Sequence, residues 1–334
     1  MALFARPILV ALLLSGEALA GCGGSLPASG PGALPARVPL AARHLPPTLA
    51  GGAKHVFLAD AVFNIVTIFN RDGTTSTLSG FQEPQGLTSD SSGNLYVADT
   101  VNARTVVYAP PYRNRPTSVL PDPGEWPVDV AVAKDGTVAA VSICQPSGSQ
   151  CGGPGSIAFY ATNKSKTSCA TVRAKSGMKL LWDAFDANGN LYVVADLNYT
   201  KVVIGSISGE CNATSLTVLK PNVKIVWAAG IQVDTSNNVV IINGFGNSGI
   251  PTIDVFRSVA NSRKLKVLSQ QPLLDSGTVV SFALSKDGST LYTAEPHYSL
   301  EYAYPNGGYA EGQLSPPSGG DLIEGVAVVP AAVP

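Results

Sequence analysis

The sequence predicts an all-β chain of repeated four-stranded units closed into a ring, and three observations carry that prediction. A cassette of about fifteen residues, with a polar turn between two apolar runs, returns about every fifty residues. It reads GLTSDSSGNLYVAD at 86–99, DVAVAKDGTVAAVSI at 129–143 and WDAFDANGNLYVVAD at 182–196, then GIQVDTSNNVVIING at 230–244 and SFALSKDGSTLYTAE at 281–295. Each cassette is followed by further strand-like runs. The two ends of the chain also supply complementary halves of one more unit. Such a unit cannot bury its apolar faces alone and must be stacked against its neighbours, which is the logic of a β-propeller.

The first two strands of each unit form a hairpin, because runs of Val, Ile, Leu and Tyr flank tight-turn pairs such as Asn188-Gly189 and Asp287-Gly288. A third strand follows at 104–109, 156–161, 201–207, 252–257 and 300–305, and a weaker fourth strand at, for example, 169–174 and 216–220. Residues 55–60 (HVFLAD) match the second strand of the cassette but have no first strand before them. Residues 325–330 (GVAVVP) match a first strand and then stop. One blade is therefore assembled from both termini, which removes two sheet edges and gives a six-bladed propeller over residues 55–330.

Composition fits this architecture and excludes some partners. The 334 residues include 34 glycines and 25 prolines, as many tight turns require, with 13% charged residues and a formal net charge of −1. No basic stripe suits a nucleic acid. Lys164, Lys166, Arg173, Lys175 and Lys179 read as a solvated edge.

The first fifty residues read differently. Arg6 precedes an apolar run at 7–14 that is too short to span a membrane, so residues 1–21 are predicted to be a signal peptide. Leu19-Ala20-Gly21-Cys22 resembles the bacterial lipobox residue for residue. That resemblance implies that Cys22 becomes the first mature residue and carries a thioether-linked diacylglycerol and an N-acyl chain. At about 0.8 kcal/mol per buried methylene, several chains make a permanent membrane anchor. Residues 22–54, rich in Gly, Pro and Ala, are predicted to be a flexible tether. Gly23 after Cys22 suggests the outer membrane or periplasm in a two-membrane envelope.

Four cysteines remain in a chain predicted to be exported, so disulfides are expected. Cys144 and Cys151 bracket a short insertion, and Cys169 and Cys211 fall near the outer strands of adjacent blades, giving the pairs Cys144–Cys151 and Cys169–Cys211. The spacing does not suit zinc, and no cofactor is implied.

Strand direction places the candidate ligand site. First strands start, and second strands end, on one face of the disc, here the upper face. Asp60, Asp99, Asp196 and Glu295 end second strands and form a partial carboxylate ring there, and Trp126, Trp182 and Trp227 sit near first-strand starts. Trp126, Trp182, Trp227, Asp99, Asp196 and Glu295 are thus the ligand-binding candidates, for a sugar, peptide or cation that needs stacking surface beside carboxylates. The structural alternative is that each Asp caps the turn into the third strand and each Trp wedges between blades.

LYVADT at 95–100, with Asn102 and a third strand ending in Val106-Val107-Tyr108, resembles an NHL-type repeat, and 191–196 is a second good copy. The blades with Val141 and Ile242 lack the Asp, so the resemblance covers the domain by architecture. In this pattern the Asp is a repeat signature, which favours the capping role for Asp60, Asp99 and Asp196. The wider superfamily holds binding propellers, gluconolactonase-like hydrolases and lyases. The resemblance implies, for the hydrolases, a divalent cation held in the channel by Glu, Asn and Asp, whose asparagine-containing motifs do not occur here. Asp129, Asp183 and Glu324, at or beside first-strand starts, are the acids that could converge on the axis. His297 is the one histidine expected on the upper face and reads as a loop residue.

Two motifs are discounted. GFGNSG at 244–249 precedes a strand with a proline, not the helix a dinucleotide fingerprint needs, and the Asp186 turn resembles a calcium loop but has Leu197 in the place of the closing Glu. The expected function is a lipid-anchored, non-catalytic binding or scaffold module facing an envelope protein, peptide or glycan. A metal-dependent gluconolactonase-like hydrolase or lyase is the alternative.

Overall fold

The computed structural model describes residues 49–331 except 149, 199, 245–248 and 260–261. The signal peptide, Cys22 and the tether up to residue 48 lie outside the described residues, as does most of the 244–249 motif.

The described residues form a six-bladed β-propeller of antiparallel sheets. Blade 1 orders Ile323–Val329, His55–Asp60, Ile65–Asn70 and Thr75–Ser79 from axis to rim, so the last strand of the chain is its inner strand. Blade 2 runs Pro84–Ser89, Leu95–Asp99, Arg104–Tyr108 and Ser118–Pro121, and blade 3 runs Pro127–Val132, Val138–Ser142, Ser156–Tyr160 and Ala170–Arg173. Blade 4 has Met178–Phe185, Leu191–Leu197, Lys201–Ile207 and Thr217–Val218. Blade 5 has Ala228–Val233, Val239–Asn243, Thr252–Ser258 and Lys264–Pro272, with Lys220–Pro221 added in parallel at its rim. Blade 6 has Ser281–Leu284, Thr290–Ala294, Ser299–Ala303 and Gly312–Leu314. Closure is antiparallel, with His55 opposite Val329 and Asp60 opposite Ile323.

The continuous apolar runs of the second strands follow from this stacking. Side chains alternate along a strand, and both faces of a blade are covered. In His55–Asp60, Val56 and Leu58 enter the layer shared with Ala283 and Tyr292 of blade 6, while Phe57 and Ala59 enter the layer shared with Leu87 and Val97 of blade 2. Rim strands face solvent on more of their surface, so Leu265 is buried between exposed Lys264 and Lys266. That polarity is why the fourth strands are weak in the sequence.

The hairpin turns are held by their own acids. Asp90 Oδ1 accepts the backbone N–H groups of Ser92 and Asn94, and Asp186 and Asp234 do the same for Asn188 and Asn190 and for Ser236 and Asn238. In the Asp186 turn the carboxylate is committed to the local backbone.

Residues 49–54, read from the sequence as the end of the tether, pack onto the lower face. Leu49 and Ala53 are buried with Tyr292 and Leu314, the Tyr292 hydroxyl donates to the Ala50 carbonyl at 2.8 Å, and Lys54 N–H donates to the Val329 carbonyl at 2.7 Å. Both expected disulfides are present, Cys144–Cys151 within blade 3 and Cys169–Cys211 between blades 3 and 4.

Candidate functional site

On the upper face, most of the carboxylates that end second strands are engaged locally. Asp60 Oδ1 accepts the N–H groups of Val62 and Phe63, and Oδ2 accepts that of Asp321. Asp99 accepts the Gln82 N–H at 2.7 Å, Asn102 Nδ2 at 2.9 Å and Arg104 Nε at 2.7 Å. Glu295 accepts the Gly277 N–H at 3.2 Å, and its burial raises its pKa. Asp196 lies opposite Lys179 in blade 4. Lys179 is itself buried, which lowers its pKa, and its ammonium donates to the carbonyls of Gly153 and Cys151, fastening the disulfide loop to blade 4.

The tryptophans are mostly interior. Trp126 and Trp182 are buried, Trp227 is half-buried, and Trp182 and Trp227 pack in or against the layer between blades 4 and 5. Trp126 and Trp227 continue their hairpins through the backbone, their carbonyls accepting the N–H groups of Ile143 and Gly244. His297 is exposed, with Nδ1 3.2 Å from the Gly320 carbonyl.

The axis presents a different constellation. In blades 1 to 5 the inner strand slips register against the second strand in its upper half, a β-bulge in each. There the inner strands approach so closely that a Cβ on Gly86 would collide with the Asp129 carboxylate and one on Gly325 with the Gln85 carbonyl. Asp129 Oδ2 spans from blade 3 to blade 4, accepting the Asp183 N–H at 3.0 Å. Both oxygens of Asp183 and both of Glu324 are buried without a hydrogen-bond partner.

Burial is the main cause of the shifts at these acids. It pushes the pKa of Asp129 up, and that of Asp183 further because the Asp129 charge adds to it. Glu324 is pushed up to about 8, by burial first and then by the charges of Glu83 and Asp60. Burial beside like charges therefore favours the protonated forms of these acids.

Below these acids a cavity of about 280 Å³ opens among the turns of the lower face. All six blades line it, with apolar residues such as Val132, Phe185, Leu284 and Val328 beside polar ones including Thr88, Asp90, Lys134, Asp183 and Gln232, and its exposed surface is more polar than apolar. None of the three tryptophans, nor Asp99, Asp196 or Glu295, is in this lining. The cavity's location was missed by sequence reasoning, although one signal for it exists. Asp183 occupies the inner-strand position held by Leu87, Val130, Ile231 and Phe282 in other blades, an acid in an apolar column.

Among the described residues no group of three His, Cys, Asp or Glu side chains is placed to hold a metal, and the cavity lining contains no asparagine.

Comparison with known proteins agrees with the fold. Residues 81–108, which span the first three strands of blade 2, match the NHL repeat family. No curated protein matches the chain. A protein of unknown function from Bacteroides caccae superposes with a TM-score of 0.58 at 13% identity, covering 83% of this chain and 99% of that one. A gluconolactonase from Xanthomonas campestris gives 0.53 at 15% identity, covering 72% and 78%, and a luciferin-regenerating enzyme gives 0.50 at 12%, covering 71% and 77%. At these identities the likeness is one of fold.

Proposed function

We propose that this chain is a lipid-anchored, non-catalytic binding propeller of the cell envelope, which takes a small ligand or a single side chain of an envelope peptide, glycan or protein in its axial cavity. The observation that carries the reading is the cavity itself, preformed by six blades and lined by polar groups such as Thr88, Asp90, Lys134 and Gln232 beside apolar ones. A preformed site lowers the ordering cost of binding. The anchor rests on the lipobox resemblance at Cys22.

Native mass spectrometry of the full chain purified from its own envelope tests the cavity. The expected result is a bound mass that disappears in Gln232→Trp, which puts a bulky side chain at a half-buried position of the cavity lining in blade 5. An unchanged spectrum would count against this site. Cys22→Ala should abolish acyl labelling and release the chain from membranes.

A gluconolactonase-like hydrolase is the second reading, favoured by the buried, unpartnered Glu324 carboxylate and the fold shared with the Xanthomonas enzyme. It ranks second because among the described residues no group of three His, Cys, Asp or Glu side chains is placed to hold a metal and the cavity lining contains no asparagine.

A further inference from the structure

We propose that the lower face of blades 1 to 3 is a docking surface for an anionic phospholipid bilayer, formed by seven exposed cations around the point where the chain enters the propeller. Strand direction puts the turns between first and second strands, and the loops between third and fourth strands, on this face. Lys54 immediately precedes the second strand of blade 1, and Arg71 lies in that blade's lower loop, its N–H donating to the Lys54 carbonyl at 3.0 Å. Arg113 and Arg115 lie in the lower loop of blade 2, Lys134 in the hairpin turn of blade 3, and Lys164 and Lys166 in its lower loop. All seven are exposed, and the two ion pairs among the described residues, Arg104–Asp99 and Arg173–Glu125, use none of them.

Contacts between the loops gather these cations into one sector. Tyr112 sets its ring edge-on to His55 and Phe57, with centroids 5.1 and 4.9 Å apart, and its hydroxyl donates to the Gly93 carbonyl at 2.7 Å. That ties the Arg113 loop to blade 1 and to the hairpin turn of blade 2. Between Arg113 and Arg115, the Asn114 side chain exchanges two hydrogen bonds with Ser79 on the rim of blade 1. Asn163 Nδ2 donates to the Tyr96 hydroxyl, which donates to Asp90, so the Lys164 loop is fastened to blade 2. The acids of the same turns, Asp72, Asp90 and Asp135, each accept hydrogen bonds from their own turn. Seven cations against three acids leave the sector four positive charges. In the lower turns of blades 4 to 6, by contrast, Asp186, Glu210, Asp234, Asp287 and Glu311 outnumber the described cations. Of the basic residues read from the sequence as one solvated edge, Arg173 and Lys179 are engaged towards the upper face, and only Lys164 and Lys166 belong to this sector.

An extended sheet of negative charge suits cations spread over three blades, and each Lys or Arg near such a surface strengthens binding roughly fivefold. The chain enters the propeller at Lys54, inside the sector, so a lipid at Cys22 would raise the effective concentration of bilayer at this face. The inference goes beyond the axial cavity and does not depend on it.

Co-sedimentation of the full chain carrying Cys22→Ser with phosphatidylcholine vesicles, with and without phosphatidylglycerol, tests the surface in the absence of the acyl anchor. Residues 1–48 are otherwise common to every sample. Partitioning should be at least roughly tenfold stronger onto the phosphatidylglycerol vesicles and should fall as salt is raised. Arg113→Ala with Arg115→Ala should weaken it at least roughly tenfold at an unchanged melting temperature, and Lys164→Ala with Lys166→Ala, on a different loop, should do the same. Arg263→Ala with Lys286→Ala removes as much charge from the other half of the face and should change partitioning by less than about twofold. Equal partitioning onto both vesicles, or an equal loss in all three double variants, would overturn the docking face. Duplex DNA bound as tightly as the vesicles would overturn the bilayer as the partner and make the sector a general polyanion site. The bound mass seen by native mass spectrometry is a separate readout, so these outcomes leave the cavity reading untouched.

Discussion

Asp90, Asp186 and Asp234 each satisfy two backbone N–H groups of a hairpin turn, so replacing Asp186 with Ala leaves donors to find water and reshapes the turn. The expected cost is about 1 kcal/mol per lost bond, read by chemical denaturation, with no dependence on added calcium. Gly86→Ala tests crowding at the axis. Its Cβ meets the Asp129 carboxylate, and a destabilisation of about 1–3 kcal/mol is expected. Glu324 gives a pH signature. Its carboxyl titrates near 4.5 when unfolded and about 8 when folded, so the folded state binds the extra proton. Its stabilising contribution is complete below the unfolded value and is lost as pH rises towards 8. Glu324→Gln should therefore match the wild type near pH 4.5 and exceed it in melting temperature at pH 8.5. A constant difference across that range would contradict the assigned burial. At this scale the sequence was partly legible. The capping of Asp60 and Asp99 followed from their place in the repeat, but the isolation of Asp183 depends on which side chains the ring packs around it.

Strands were the most legible elements, because burial on both faces forces uninterrupted apolar runs such as LYVAD and VVIIN, and the turns between them use Asp, Asn and Gly. The inner-strand bulges were not legible. Register slips there respond to neighbouring blades converging on the axis, a tertiary constraint with no local pattern. Residues 49–54 were misread for a similar reason, since Leu49 and Ala53 gain their burial from blades 1 and 6, far along the chain. The disulfides were placed by cysteine spacing relative to the strands. Their loops differ in length, with sequence separations of 7 and 42, so loop entropy expects removal of Cys169–Cys211 to cost about 4 kcal/mol and of Cys144–Cys151 roughly 2–3. Melting of the two Cys→Ser double variants should show that order.

Ring closure governs the whole molecule. Deleting residues 323–334 removes the inner strand of blade 1, exposes the edge of His55–Asp60 and opens the layers shared with blades 2 and 6. Loss of a single cooperative melt is expected, where a merely local blade would unfold alone. The blade count was legible because both termini carry half a unit, whereas the cavity was not, since six inner strands far apart in sequence build it together. The binding reading and the hydrolase reading diverge on one quantity, the metal content of the purified full chain, measured by elemental mass spectrometry with the melting temperature before and after chelation. A chain without stoichiometric divalent metal, indifferent to chelator, is expected if the axial acids hold protons. One divalent ion per chain, whose removal lowers the melting temperature, would contradict the binding account and make the axis a metal centre.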